Sequence, residues 1–203
     1  RLKPNVRRSA RVTMPGQQRV PRPVRAYDLK VTLLLVRPPV WRRITVRSDI
    51  TLNELHKVLQ AVMGWTDSHM HAFQPVGRQG NARSRQPAIE RNDERRTRLD
   101  ELLIKPKDRL LYEYDFGDRW QHEVLLEKMR DHSPGARYPW VLGGARACPP
   151  EDVGGVGGYA HFLQVMRSPR HPEHAEMTEW YGGPFDPEAF DSRALNRAFH
   201  GGW

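Results

Sequence analysis

Leu29, Val31, Leu33 and Leu35 alternate with Asp28, Lys30 and Thr32, the period of two that a half-buried strand requires. Arg37-Pro38-Pro39 breaks the run, because proline brings no amide hydrogen to a ladder. Trp41, Ile44 and Val46 then resume it. Residues 27–36 and 40–46 therefore predict a hairpin with a proline-stiffened loop. Its apolar face needs a second layer, and one follows at once. Leu52, Leu55, Leu59, Val62 and Met63 lie on one side of a helical period. Thr51 with Glu54 forms a capping box, and Gly64 stands where a helix ends.

Residues 69–76 read as another strand and 99–104 as a short apolar piece of helix or strand. Residues 110–116 and 120–128 predict a second hairpin. Tyr112, Tyr114 and Phe116 share one face of its first strand; Trp120, His122, Val124 and Leu126 share one face of its second. The two faces coincide only across a loop of odd length, for which Gly117-Asp118-Arg119 is the expectation. That register sets His122 opposite Tyr114 on the apolar face. Residues 138–142 read as an edge strand. Residues 159–166, 171–181 and 187–199 read as helices, the last with Phe190, Leu195 and Phe199 inward. The order predicts an α+β fold: a largely antiparallel sheet built from two hairpins, packed against one central helix and a C-terminal set of helices.

Charge divides the chain. The net charge is +9, but residues 1–26 hold seven Arg, one Lys and no acid, whereas residues 27–203 carry 25 basic and 24 acidic groups. The expected organisation is a basic Arg/Pro-rich arm over 1–26 and a single domain over 27–203, with an Arg-rich loop at about 77–98. Such an arm can contact nucleic-acid phosphates by counterion release without reading sequence, or serve only as a solvated tail. Arg7, Arg8 and Arg11, with Arg42 and Arg43 beside Trp41, are the candidate nucleic-acid contacts. Arg42 and Arg43 read equally well as cations lying over core aromatics. Cys148 is the single cysteine, which leaves no internal disulfide or cysteine zinc site and fits a reducing, cytoplasmic setting. No apolar run approaches the roughly 18 residues of a membrane helix, and no secretory leader is read, so no membrane association is expected.

Three constellations carry candidate chemistry. Asp115, Asp118 and His122 surround the second hairpin tip and can bind a divalent metal ion or act as acid and base. Against this, Asp118 is a favoured turn residue and His122 falls on the apolar face. Glu151 and Asp152 precede Gly154, Gly155, Gly157 and Gly158, whose backbone can approach a phosphate if a metal bridges the like charges; the alternative is a cap before a helix. His69 and His71 sit two apart on a strand and can face one metal, or face solvent together. Asp115, Asp118, His122, Glu151 and Asp152 are thus the catalytic candidates. His69, His71, Asp115, Glu151 and Asp152 are the metal candidates, with a divalent ion as the expected cofactor.

Several motifs in order resemble the plasmid pRiA4b ORF-3-like family. They are Tyr27-Asp28-Leu29-Lys30-Val31, Pro39-Val40-Trp41-Arg42-Arg43, Leu52-Asn53-Glu54-Leu55-His56 with Gln60 and Gly64-Trp65, and Tyr114-Asp115-Phe116-Gly117-Asp118 with Trp120, His122 and Glu123. Cys148-Pro149-Pro150-Glu151-Asp152, Gly154-Gly155, Gly158-Tyr159, and Phe185-Asp186-Pro187 with Phe190 and Asn196 complete the set. The resemblance covers about residues 27–199. It implies a compact α+β domain and a TnpR-like passenger of mobile DNA. The family's second cysteine after Glu-Asp is Val153 here, which removes any role for a cysteine pair. Recombinase chemistry is not carried: Ser9 lies in the Arg/Pro segment, and none of the nine His is followed by Arg three residues on.

Three functions follow as expectations. The first is an accessory domain of mobile DNA that touches nucleic acid through its arm. The second is a metal-dependent hydrolase or phosphoryl-transfer enzyme. The third is a protein-interaction module that offers its C-terminal helices to a protein partner.

Overall fold

The computed structural model describes residues 22–76 and 87–201. Strands β1 (Arg25–Leu33) and β2 (Trp41–Arg47) form the first hairpin. Helix α1 (Leu52–Met63) follows, then β3 (His71–Pro75) and the short helices α2 (Arg91–Glu94) and α3 (Leu99–Leu102). Strands β4 (Arg109–Tyr114) and β5 (Trp120–Asp131) form the second hairpin. Strand β6 (Trp140–Ala145) and helices α4 (Gly155–Met166), α5 (His174–Tyr181) and α6 (Ser192–His200) complete the chain. The strands make one six-stranded sheet in the order β3-β4-β5-β1-β2-β6. Every neighbouring pair is antiparallel.

The expected α+β architecture is the one observed. β5 is the longest strand and pairs with β1, so the two hairpins lie side by side rather than apart. Leu29, Val31, Ile44, Tyr112, Val124 and Leu126 line the buried face and meet Leu52, Leu55 and Leu59 of α1. Full burial of each such side chain stabilises the fold by about 1.5–3 kcal/mol before entropy is counted. The capping box forms as expected: Glu54 N donates to Thr51 Oγ1 at 3.2 Å and Thr51 N donates to Glu54 Oε2 at 2.7 Å. Gly64 closes the helix at φ 81°.

Three local expectations change. The β4–β5 register pairs Tyr114 with Trp120 and Tyr112 with His122. The loop is therefore residues 115–119: its parity is odd as expected and it ends before Trp120, but it starts earlier on the β4 side. Asp115 and Arg119 both take φ 56°, and Arg119 N donates to Asp115 O at 2.6 Å. That closure ejects Phe116, which is 46% exposed, from the expected buried row. Helix α4 starts at Gly155, earlier than the expected 159, because Gly154 and Gly155 absorb the positive φ that starts it. Helix α6 starts at Ser192, later than the expected 187, and has no fully buried residue; Phe190 ahead of it and Leu195 and Phe199 on it pack against the core only in part. Its Asn196 accepts from Val141 N at 2.8 Å and donates to Val141 O at 3.0 Å. One side chain thus satisfies backbone groups at the edge of β6.

β1 begins at Arg25, and Arg22 donates to Asp100 O at 2.6 Å, so the end of the expected arm joins the body. Arg7, Arg8 and Arg11 lie outside the described residues.

Candidate functional site

At the end of the sheet where β4 turns into β5, three stretches meet: residues 65–70 before β3, the 115–119 loop, and residues 148–155 before α4. Tyr114 ties them together. Its hydroxyl accepts from Ser68 N at 3.0 Å and His69 N at 3.3 Å, and donates to Glu151 Oε1 at 2.5 Å. Burial, then the bond to Glu151 and its charge, raises this phenol above its ordinary pKa, so it remains a donor. Glu151 Oε2 accepts from Thr66 Oγ1 at 2.6 Å and Thr66 N at 3.2 Å. Trp65 lies against Tyr114 with centroids 5.0 Å apart and donates to Pro149 O at 3.0 Å.

These ties converge His69, Asp115 and Asp152. Asp115 spends Oδ1 on Gly117 N at 2.8 Å and Asp118 N at 3.3 Å, which leaves Oδ2 3.7 Å from His69 Nε2. Asp152 Oδ1 is 3.2 Å from the same nitrogen. One ligand atom from each of the three lies within 4.8 Å of the others. His69 Nε2 is shielded from solvent yet makes no hydrogen bond. The Asp152 side chain is 71% exposed, so the cluster is open on one side. Asp115 and Asp152 both hold positive φ, at 56° and 60°, a conformation that costs about 1–3 kcal/mol and persists where surroundings enforce it.

The glycines serve this convergence from within. A Cβ on Gly155 would lie 2.7 Å from Asp118 O, and one on Gly158 1.9 Å from Val153 O. The close backbone approach expected for a phosphate is thus made by the protein's own backbone. Asp118 accepts from Gly154 N at 3.1 Å and locks the hairpin tip to the start of α4.

A family model described as Plasmid pRiA4b ORF-3-like protein matches residues 25–194. The chain belongs to the plasmid pRiA4b ORF-3-like family. It is 39% identical over 181 residues to "Uncharacterized protein y4hQ" of Sinorhizobium fredii (strain NBRC 101917 / NGR234), covering 84% of this chain and 88% of that one. It also matches the crystal structure of "Protein of Unknown Function MM3350" from Methanosarcina mazei Go1. That match has a TM-score of 0.75 and 37% identity, over 85% of this chain and 98% of the other. No helix among the described residues is long and apolar enough to cross a membrane.

In this pRiA4b ORF-3-like chain the remaining sequence candidates go elsewhere. His122 is fully buried inside the sheet face, with Nδ1 3.3 Å from Tyr112 O, and burial lowers its pKa to about 4. It faces the core and not the hairpin tip, so it is a neutral packing residue. Glu151 is held by Tyr114 and Thr66, and Asp118 by Gly154; both support the cluster without pointing a free ligand into it. His71 does not share a face with His69, because β3 begins only at His71. Its ring stacks on His56 with centroids 3.5 Å apart and planes 7° from parallel, and its Nε2 is 2.9 Å from Glu94 Oε2. His56 in turn bridges Tyr112 Oη at 2.8 Å and Asp67 Oδ1 at 2.7 Å. His56, Asp67 and His71 form a second group with ligand atoms in mutual reach. His56, Asp67 and Glu94 carry no local signal in the sequence: His56 falls on the inner side of an ordinary amphipathic helix.

Arg42 and Arg43 are also redirected. Arg42 is buried; Nε donates to Val62 O at 2.8 Å, and Nη1 donates to Trp41 O at 2.9 Å and Ala145 O at 3.0 Å. Its Nη2 is 3.2 Å from Cys148 Sγ, and Phe190 covers it at 4.5 Å. Arg43 pairs with Glu127 at 2.6 Å over Trp41. Arg42 therefore has no free donor face for a phosphate, and Arg43 is neutralised. Burial raises the Cys148 thiol to about 11, against a nucleophilic role.

Proposed function

We propose that this protein binds one divalent metal ion at His69, Asp115 and Asp152, and that the ion holds an anionic oxygen ligand, with phosphoryl groups the best match. The observation that carries this reading is the shielded His69 Nε2, without a hydrogen bond between two carboxylates at 3.7 and 3.2 Å. One imidazole and two carboxylates suit a borderline ion such as zinc or manganese. Three protein ligands leave coordination positions for water or substrate. Bound there, the ion would polarise a phosphoryl oxygen or supply hydroxide near neutral pH. Glu151 and Asp118 act in support, holding the loops that carry Asp152 and Asp115.

Equilibrium dialysis against zinc and against manganese, with elemental analysis, tests this. One equivalent is expected at this site in the native chain, and a loss of one equivalent in His69→Ala and in Asp152→Asn. Equal metal content in all three proteins would refute the reading.

The charge pattern supports a second reading, an accessory domain of mobile DNA that contacts nucleic acid through its Arg-rich N-terminal segment. Residues 1–26 carry +8 with no acid, and 27–203 are nearly balanced. Replacing Arg7, Arg8 and Arg11 by Gln in the full chain should weaken binding to duplex DNA. Its salt dependence should flatten by about 0.9 in slope for each phosphate no longer neutralised. Unaltered binding and slope would end that reading.

A further inference from the structure

The far end of β5 carries the opposite chemistry. Residues 132–139 lead from β5 into β6, whose Trp140 and Leu142 turn away from the core and are 42% and 45% exposed. Three adjoining clefts of about 400, 580 and 360 Å³ lie here, and Arg137 lines all of them. Arg47 and Arg130 line one cleft each, and Arg193 and Arg197 line the third. The Trp140 ring stacks on His200 with centroids 5.7 Å apart and planes 17° from parallel. His200 Nε2 is 2.6 Å from Pro139 O, which fixes that pair of rings in place.

The nearby acids cancel part of this charge and leave two arginines unpaired. Arg130 pairs with Asp28, Arg47 with Asp49 at 2.8 Å, and Arg197 reaches Asp191 only at 3.9 Å. Asp131 lines the first cleft. Arg137 and Arg193 make no ion pair among the described residues; Arg137 makes one long bond, to His200 O at 3.4 Å. The Arg-rich segment enters the sheet at this same end, since Arg25 lies opposite Asp131 in the ladder and Ala26 lines the first cleft. Arg137 and Arg193 line one cleft with the exposed Trp140, so the fitting occupant is an anion that also carries planar rings.

We propose that the clefts around Arg137 and Trp140 bind single-stranded nucleic acid, with phosphates on Arg137 and Arg193 and a base on Trp140. An exposed indole needs an unstacked base, which favours a single strand over a duplex, and clefts of this size suit a nucleotide. This inference deepens the nucleic-acid reading by giving it a surface on the body, and it is independent of the metal site.

The test is fluorescence anisotropy of the full chain with a labelled oligothymidylate of about 15 nucleotides. Trp140→Ala should bind about tenfold more weakly, with Trp140→Phe restoring part of the loss. The Arg137→Gln/Arg193→Gln protein should lose about 0.7 in salt slope for each arginine. An abasic strand of equal length should bind the native chain about as weakly as the thymidylate binds Trp140→Ala. Circular dichroism of each variant should match the native chain. Native binding by every cleft variant, with loss only when Arg7, Arg8 and Arg11 are replaced, would overturn the cleft and leave the arm. Absence of binding in the native chain would overturn both. Equal displacement by polyglutamate, with no effect of Trp140→Ala, would assign the clefts to an acidic polypeptide and overturn the proposal.

Discussion

β5 has two unlike ends. Near Trp120 it borders a small, acidic, histidine-bearing cluster; near Arg130 it borders open cationic clefts with an exposed tryptophan. Roughly ten residues of strand separate them, about 33 Å. At the first end the backbone sets the geometry. Positive φ at Asp115, Asp152, Gly154 and Gly155, and Gly158 pressed on Val153, bring short side chains to one point. At the second end long side chains reach over open space, and Gly135 of the β5–β6 connection takes φ 87° in a place where a Cβ would meet nothing within 4 Å. Short-reach ligands demand a rigid frame, whereas long cations around an aromatic tolerate a loose one.

The largest effect should come from adding one methyl group at each end. Gly158→Ala forces a Cβ to within 1.9 Å of a carbonyl and should cost about 4 kcal/mol, while Gly135→Ala meets open space and should cost only the about 1–2 kcal/mol of its positive φ. Urea titrations of both proteins check this; similar costs would erase the contrast between a locked end and a loose one.

Acid should unsettle the β4–β5 side. His122 stays neutral in the fold down to about pH 4 but takes up a proton in the unfolded chain below its ordinary value of 6.5. Between those values the unfolded state holds more protons, so stability falls as pH falls, by about 3 kcal/mol from this residue. His122→Phe should flatten that limb in urea titrations at pH 7 and pH 4.5.

The smallest contrast separates two kinds of arginine. Arg42→Met leaves the carbonyls of Val62 and Ala145 without their donor and should cost about 2 kcal/mol. Arg137→Met should cost less than about 0.5 kcal/mol and act on ligand binding alone. Equal thermal shifts would remove the distinction between structural and available cations.

Much of the fold is legible in the sequence because its signals are local. The alternation of residues 27–33, the capping box of α1 and the odd parity of the β4–β5 loop depend on neighbours a few residues apart; the expected strand stops short of 36, because Leu35 turns out at φ 66° and is 78% exposed. Glu151 and Asp152 are recognisable as acids, but nothing local says that Tyr114 holds one and leaves the other beside His69. The pair His69 and His71 misleads because a period of two applies only inside a strand, and the strand starts at the second histidine. Arg42 and Arg43 look alike in sequence; one side of β2 faces the core and the other faces Glu127.

By itself the sequence determined element types, the α+β order, membership motifs and the concentration of charge before residue 27, since these are properties of spacing and composition. Only tertiary structure decided which histidine meets which carboxylate, which arginines are spent, and where Arg137, Trp140 and Arg193 come together. Those meetings are set by strand order and loop closure, which bring together residues whose separation in the chain leaves no periodic trace.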